Sequence, residues 1–191
     1  DADDIPHPPI ELLITTNEET GMDGAMALTA DHLSGTRLLN LDTEEEGIFL
    51  VSCSGGSNIE CTIDVAKEAS SSEAYEIVLS GLKGGHSGSE IDCQRGNAIK
   101  MLTRILASVK AEIKLASIEG GIKHNAVPSY AKAVIVTDKF SAIEDTIKSM
   151  VADLTEEYRV EEPDFKALVN KVEVKESYTK EVSDKIIDRK S

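Results

Sequence analysis

The fold is decided by residues 75–111, YEIVLSGLKGGHSGSEIDCQRGNAIKMLTRILASVKA. Tyr75–Leu82 alternates apolar and polar side chains as a strand does, and Gly84-Gly85 ends that pattern. Arg95–Ala111 then carries apolar residues at the spacing of one helical face, at Ile99, Leu102, Ile105, Leu106 and Val109. The stretch therefore predicts a strand, a glycine-rich loop and an amphipathic helix.

The rest of the C-terminal part continues the alternation of strands and helices. Strands are predicted at Leu115–Ile118 and Ala131–Thr137, and a helix at Ser141–Tyr158. A last strand, Ala167–Val174, precedes a helix that starts at Val182–Asp188. The order β-α-β-β-α-β predicts a ferredoxin-like sandwich with two helices on one face of the sheet.

The N-terminal part has a different pattern. Ile10–Thr16 and Arg37–Leu41 are short apolar runs, and Asp23–Leu33 between them resembles a helix. Two buried strands separated by a helix predict part of a parallel α/β sheet. Gly47–Ser52 and Glu60–Val65 are predicted as further strands, with a turn at the intervening Ser54, Gly55 and Gly56.

The predicted fold class is therefore mixed α/β, in two domains. Residues 1–56 are expected to form part of a parallel-sheet domain, and residues 57–191 a βαββαβ domain. Both domains look incomplete, so we expect the chain to be an internal piece of a larger protein.

Composition excludes several classes of function. The chain has 191 residues, with 20 Lys and Arg against 35 Asp and Glu, for a net charge of −15. A nucleic-acid partner needs a basic face, which this charge does not favour. No apolar run is long enough to span a membrane, and the three cysteines form no CxxC pair. These features indicate an acidic cytoplasmic protein without a nucleic-acid or membrane partner.

Carboxylates follow both predicted N-terminal strands. Glu18 and Glu19 come after the first strand and Asp42 after the second. Because parallel strands end at a common edge, these side chains are expected to lie near one another. Such carboxylates bind divalent metals and accept a proton from metal-bound water, while a solvated acidic loop is the alternative.

Two loops of the C-terminal part contain further candidates. His86 lies in LKGGHSG, where flanking glycines let an imidazole approach a ligand, although it also fits an exposed loop histidine. Asn125 lies in KHNAVP, where its amide can bind a carboxylate or carbonyl oxygen, or simply form a turn before a proline. Asp92 is predicted to cap the helix that follows it.

Four segments together resemble one known family. HPPIELLITTNEETGMDGA, LLNLDTEEEG, LKGGHSG and HNAVP occur in that order, and they resemble the aminoacyl-histidine dipeptidases. These belong to the co-catalytic zinc peptidases, which also include carboxypeptidase G and the aminoacylases. The resemblance covers nearly the whole chain and implies a partial catalytic domain in 1–56 and a lid or dimerisation domain in 57–191.

The resemblance also implies a role for each candidate residue. Glu18 matches the general base, while Glu19 and Asp42 each match a ligand of one of two zinc ions. His86 matches a lid histidine that polarises the scissile carbonyl group, in many relatives across a homodimer, and Asn125 matches a lid residue that contacts the substrate. The implied reaction is hydrolysis of Xaa-His dipeptides by zinc-activated water.

Three metal ligands of the family have no match in this chain, so two of the five expected are present. Because catalytic zinc needs about three protein ligands, we expect this chain alone to be inactive. A related amidohydrolase or aminoacylase, a tripeptidase-like aminopeptidase and a non-catalytic dimerisation module remain alternatives.

Overall fold

The computed structural model describes residues 4–42, 46–52, 57 and 59–190. The chain divides into two compact units, residues 1–60 and residues 61–191. The division into a partial catalytic domain at 1–56 and a lid or dimerisation domain at 57–191 stays a prediction. No helix in the described part of the chain is long and apolar enough to cross a membrane.

The first unit contains little regular structure in its described residues. One short α-helix, α1, spans Asp23–Met26, and single 3-10 turns span Glu18–Thr20 and Ala30–His32. The predicted helix Asp23–Leu33 is therefore shorter than expected. The Glu11 side chain links two segments of this unit. Its carboxylate accepts hydrogen bonds from the Ser34 hydroxyl and backbone N–H and from the Gly35 N–H.

The strands predicted at Ile10–Thr16, Arg37–Leu41 and Gly47–Ser52 are wrong. Over the described ranges 4–42 and 46–52 there is no strand, so the predicted parallel sheet is absent there. A strand needs a neighbouring strand to complete its backbone hydrogen bonds, and none lies beside these segments in the described ranges. The apolar side chains of the three segments are also exposed, with Leu12 at 81%. Glu60–Val65 also forms no strand. The turn predicted at Ser54, Gly55 and Gly56 lies outside the described residues.

The second unit contains most of the regular structure. Its elements are β1 (Lys67–Ala69), β2 (Ala74–Ser80), β3 (Gly85–His86), α2 (Ala98–Ser108), β4 (Lys114–Gly120), β5 (Ala126–Val127), β6 (Ala131–Val136), α3 (Phe140–Glu157), β7 (Lys166–Val172), β8 (Glu176–Tyr178) and α4 (Lys180–Lys190).

The main sheet has the strand order β4-β6-β2-β7, and all neighbouring strands are antiparallel. Strand β2 is central, so that its Leu79 pairs with Ala131 on one side and Ala167 on the other. With α2 and α3 as the two connections, this is the ferredoxin-like βαββαβ arrangement. The mixed α/β fold class is therefore confirmed, with an antiparallel sheet.

The core lies between this sheet and its helices. α2 has apolar residues at positions that repeat every three or four residues, and this face is buried. α3 contributes Ile143, Ile147 and Leu154, and α4 contributes Ile187. Each fully buried Leu or Ile contributes roughly 1.5–3 kcal/mol. The members from α2 and the sheet are Ile77, Leu79, Ala98, Met101, Leu102, Ile105, Leu106, Leu115, Ala131, Ala133 and Ile135.

The residue that caps α2 differs from the prediction. Asn97 is the N-cap, and its side-chain oxygen accepts hydrogen bonds from the N–H groups of Ile99 and Lys100, each at 3.1 Å. Asp92 lies in the 3-10 turn Ile91–Cys93, a full turn too early to reach those groups. The prediction that Asp92 caps the helix is therefore wrong.

Candidate functional site

His86 lies on a short ribbon that joins the two candidate loops. Strands β3 and β5 pair antiparallel, with His86 opposite Ala126. The N–H of Ser87 donates a 2.9 Å hydrogen bond to the carbonyl oxygen of Asn125. The structure therefore brings the LKGGHSG and KHNAVP loops, which are far apart in sequence, into direct backbone contact.

The His86 ring is oriented by its own loop. Its Nδ1 atom accepts hydrogen bonds from the N–H groups of Gly88, at 3.1 Å, and Ser89, at 3.2 Å. In a neutral imidazole one nitrogen accepts and the other carries the proton, so the proton lies on Nε2. The side chain is exposed, and Nε2 is thus able to donate to a carbonyl oxygen of a ligand.

An ion pair holds the backbone of His86. The Glu90 carboxylate accepts a 2.7 Å hydrogen bond from the His86 N–H and pairs with Arg95 at 2.7 Å. Arg95 also donates to the carbonyl oxygen of Gly84. The hydrogen bond from His86, with the charge of Arg95, lowers the pKa of the Glu90 carboxyl group.

Asn125 is half-buried beside this ribbon. Its side-chain amide forms no hydrogen bond with other residues of the described part of the chain. It is therefore able to donate and accept hydrogen bonds with a ligand. No hydrogen bond joins the side chains of His86 and Asn125 among the described residues.

A groove of about 550 Å³ adjoins the ribbon. Its size lies within the range of small-ligand sites. Ser87 and Ala126, the sequence neighbours of His86 and Asn125, line its wall. The other lining residues are Ile91, Asn97, Ile99, Gly120, Gly121, Ile122, Lys123, His124, Val127 and Pro128.

The carboxylates predicted to bind metal lie in the first unit. Glu18 and Glu19 occupy the exposed 3-10 turn Glu18–Thr20, and Asp42 is exposed, with its N–H donating to the Asn40 side chain at 3.2 Å. Among the described residues no three His, Cys, Asp or Glu side chains come together as a metal site. These residues alone therefore do not provide the three or more ligands that a zinc site needs.

The sequence did not point to the residues that support His86. Glu90 and Arg95 stand in an unremarkable polar stretch, and their connection depends on how the loop folds. Glu162 is buried and accepts hydrogen bonds from both sides of this loop, yet it lies in an acidic run that looks solvated. For these three residues no sequence signal was available.

Comparisons with known proteins show what this chain is similar to. Residues 77–162 match the family model of the M20 peptidase dimerisation domain. The chain is similar to the cytosol non-specific dipeptidase of Escherichia coli K12, at 35% identity over 176 residues and 89% of this chain. It is also similar to the crystal structure of aminoacylhistidine dipeptidase from Vibrio alginolyticus, with a TM-score of 0.70, 26% identity and 91% of this chain covered.

The predicted resemblance to the aminoacyl-histidine dipeptidases is therefore confirmed. The chain spans 36% of the length of the Escherichia coli relative and 37% of the Vibrio chain. Both relatives are named as dipeptidases. The roles of Glu18, Glu19, Asp42, His86 and Asn125 stay predictions.

Proposed function

We propose that this chain forms part of a metal-dependent dipeptidase, in which residues 61–191 supply a dimerisation domain and a substrate-contacting loop. The supporting observation is the β3–β5 ribbon, which holds the exposed His86 next to the Asn125 loop within the segment that matches the peptidase dimerisation domain. The similarity to two dipeptidases over about nine-tenths of the chain supports the proposed reaction class.

In this proposal His86 donates from Nε2 to the carbonyl oxygen of the scissile bond. An oxygen that gains negative charge in the transition state binds such a donor more tightly than the substrate does, which lowers the barrier. The Asn125 amide would contact the same substrate. Both groups are exposed or half-buried, and within the described part of the chain no side chain is hydrogen-bonded to their donating atoms.

The proposed roles of the N-terminal carboxylates follow the resemblance. Glu18 would be the general base, and Glu19 and Asp42 would each ligate one of two zinc ions. Their arrangement among the described residues does not make a metal site. We therefore propose that they act only together with ligands from outside the described residues, and that the chain alone is inactive.

Two substrate ranges are open to such an enzyme. The aminoacylhistidine dipeptidase match favours Xaa-His dipeptides, and this is the range we propose. The name of the Escherichia coli relative, a non-specific dipeptidase, points to a wider range. The same name supports a cytosolic location.

Hydrolysis of β-alanyl-histidine and of alanyl-alanine, with zinc added, tests this proposal. We expect no turnover by the 191-residue chain and turnover of β-alanyl-histidine by a chain extended at both ends. In the active form, Glu18→Gln and His86→Ala should each lower kcat by about a hundredfold or more. His7→Ala, at another exposed histidine, is the control and should leave kcat unchanged.

Other results would assign a different activity to the enzyme. Equal cleavage of both dipeptides would replace Xaa-His specificity with a general dipeptidase. Cleavage only of N-acyl amino acids would favour an aminoacylase, and cleavage only of tripeptides a tripeptidase-like aminopeptidase. Full activity of His86→Ala would exclude His86 from the reaction.

A non-catalytic dimerisation module is the second candidate function. It is favoured by the lack of a three-ligand metal group among the described residues. Strand β7 lies at an edge of the main sheet, and its Leu168 is 57% exposed. Edge strands pair readily with a second chain, so we propose homodimerisation through this part of the molecule.

Sedimentation equilibrium of the whole chain tests the homodimer. We expect a dimer that Leu168→Lys weakens by about tenfold or more in Kd, because a charge on the edge opposes pairing. Val160→Lys is the matched control, since Val160 is 68% exposed and lies outside the sheet. A monomer at all concentrations, or equal effects of the two substitutions, would exclude dimerisation through β7.

A further inference from the structure

A buried carboxyl group closes the base of the His86 loop. Glu162 is 2% exposed, and its two carboxyl oxygens accept hydrogen bonds from two separate backbone groups. One oxygen accepts from the Lys83 N–H at 2.7 Å and the other from the Gly96 N–H at 2.9 Å. Lys83 and Gly96 stand immediately before and after residues 84–95, the segment that contains His86. One side chain therefore bonds both ends of this loop.

A second set of bonds continues from the base of the loop to His86. Arg95, next to Gly96, donates to the carbonyl oxygen of Gly84 and pairs with Glu90. Glu90 in turn accepts the hydrogen bond of the His86 N–H. The loop is thus connected from its two ends to the residue that presents the imidazole.

Gly96, at one end of the loop, is closely packed against its neighbours. A Cβ atom at Gly96 would lie 2.6 Å from Leu82 Cδ2 and 3.3 Å from Glu162 Cγ. Burying a carboxyl group is unfavourable unless its oxygens are hydrogen-bonded. An apolar residue at this position would leave the two backbone N–H groups without their acceptors. Space filling alone therefore does not explain a glutamate here.

We infer that Glu162 is a positioning residue, which fixes residues 84–95 and so sets where His86 stands. Its carboxylate bonds the backbone N–H groups of Lys83 and Gly96, so it acts through the backbone of the loop. The inference rests on the proposed function only for what His86 does. The closure of the loop by Glu162 is a property of this chain by itself.

Amide hydrogen exchange measured by NMR on the whole chain tests the inference. In Glu162→Ala we expect exchange about tenfold faster at Lys83 and Gly96, because each of these N–H groups loses its acceptor. The same increase is expected at His86, whose N–H keeps Glu90 as its acceptor, because the loop that holds it is no longer closed at its base. Glu162→Gln keeps one acceptor and should give a smaller increase, which also serves if the alanine variant does not fold. Amides of the sheet core, such as Ile77, should change less than about threefold.

A matched control uses the neighbouring end of α3. Glu157 pairs with Arg104 at 2.7 Å and bonds no residue of the loop, so Glu157→Gln should leave the exchange of Lys83, Gly96 and His86 unchanged. Unchanged loop exchange in both Glu162 variants would overturn the inference. An increase spread evenly over loop and sheet would also overturn it, because that result defines a general stabilising role.

Activity measurements separate this inference from the proposed function. If Glu162→Gln loosens the loop and lowers kcat with KM nearly unchanged in an active extended chain, both stand. If Glu162→Gln loosens the loop but His86→Ala keeps full activity, the proposed role of His86 fails and the positioning by Glu162 stands. If His86→Ala loses activity while loop exchange in Glu162→Gln is unchanged, the inference fails and the proposed function stands.

Discussion

Gly85 occupies a backbone conformation that favours glycine, with φ of 138°. A Cβ atom at this position would lie 2.2 Å from Arg95 Nη1 and 2.7 Å from Glu90 Oε2. Gly85→Ala should therefore displace the ion pair and lower the free energy of unfolding by roughly 1–3 kcal/mol, as measured by urea denaturation of the whole chain.

Gly121→Ala is the matched control for Gly85→Ala. Gly121 also has positive φ, at 75°, but the nearest atom to an added Cβ is Pro128 Cγ at 3.6 Å. It should show backbone strain without disturbing Glu90 and Arg95. Equal changes in the NMR signals of His86 in both variants would mean that the Glu90–Arg95 pair does not order this loop.

The Glu90 carboxylate makes the order of the His86 loop depend on pH. Hydrogen bonding to the His86 N–H, together with Arg95, lowers the pKa of Glu90 from its ordinary value of 4.5. A lowered pKa in the folded state means that this group stabilises the fold above about pH 4.5, and that the contribution is lost as pH falls below it. The His86 amide signal should accordingly shift in acid.

Substitution of Glu90 tests whether this carboxyl group causes the acid shift. In Glu90→Gln the acid shift of the His86 amide should disappear. In Glu181→Gln it should persist, because Glu181 pairs with Lys185 on α4 and not with the His86 loop, although its pKa is lowered as well. An acid shift that is the same in Glu90→Gln and the unsubstituted chain would assign it to another group.

At the scale of single elements, α2 depends on its cap. Asn97 satisfies the N–H groups of Ile99 and Lys100, and this helix supplies much of the buried core. Asn97→Ala should lower the free energy of unfolding by about 1 kcal/mol, measured by urea denaturation. Asn97→Ser retains an acceptor and should recover most of the loss. If the two variants are equally stable, the cap contributes nothing.

Sequence periodicity predicted the long elements of the second unit and failed for the short ones. The strand at Tyr75–Leu82 and the helix at Ser141–Tyr158 extend over several repeats of their pattern, so their positions were predicted within a few residues of the observed bounds. β3 and β5 contain two residues each, too few to show any period. Ile10–Thr16 has the composition of a buried strand. A strand also needs a neighbouring strand for its backbone hydrogen bonds, and the composition of one segment does not show whether such a neighbour is present.

The candidate site was predictable only in its exposed part. His86 and Asn125 stand out because glycine or proline surrounds them in motifs that resemble a known family. Glu90 and Glu162 hold the backbone of the His86 loop through hydrogen bonds that form only in the folded chain. Glu162 lies far in sequence from Lys83 and Gly96, the residues that donate to it. Short-range patterns carry no information about such contacts.

At the scale of the whole molecule, the two units should differ in protection from hydrogen exchange. The described residues of the first unit have few backbone hydrogen bonds and no strands, whereas β2 is bonded on both sides. Amides of Ile10–Thr16 should therefore exchange at rates close to those of an unfolded chain, and those of Ile77 many times more slowly. Strong protection of Ile10–Thr16 would show that this segment pairs as a strand in solution.

The central position of β2 has a consequence for how the protein is made. β2 is the first strand of its sheet to leave the ribosome, and its two neighbours, β6 and β7, are synthesised much later. Until Ala131–Val136 and Lys166–Val172 have emerged, the apolar side chains of β2 have no ladder beside them and no completed core to cover them. The main sheet therefore cannot be completed until Val172 has been synthesised, and we expect β2 to be accessible to chaperones throughout that interval.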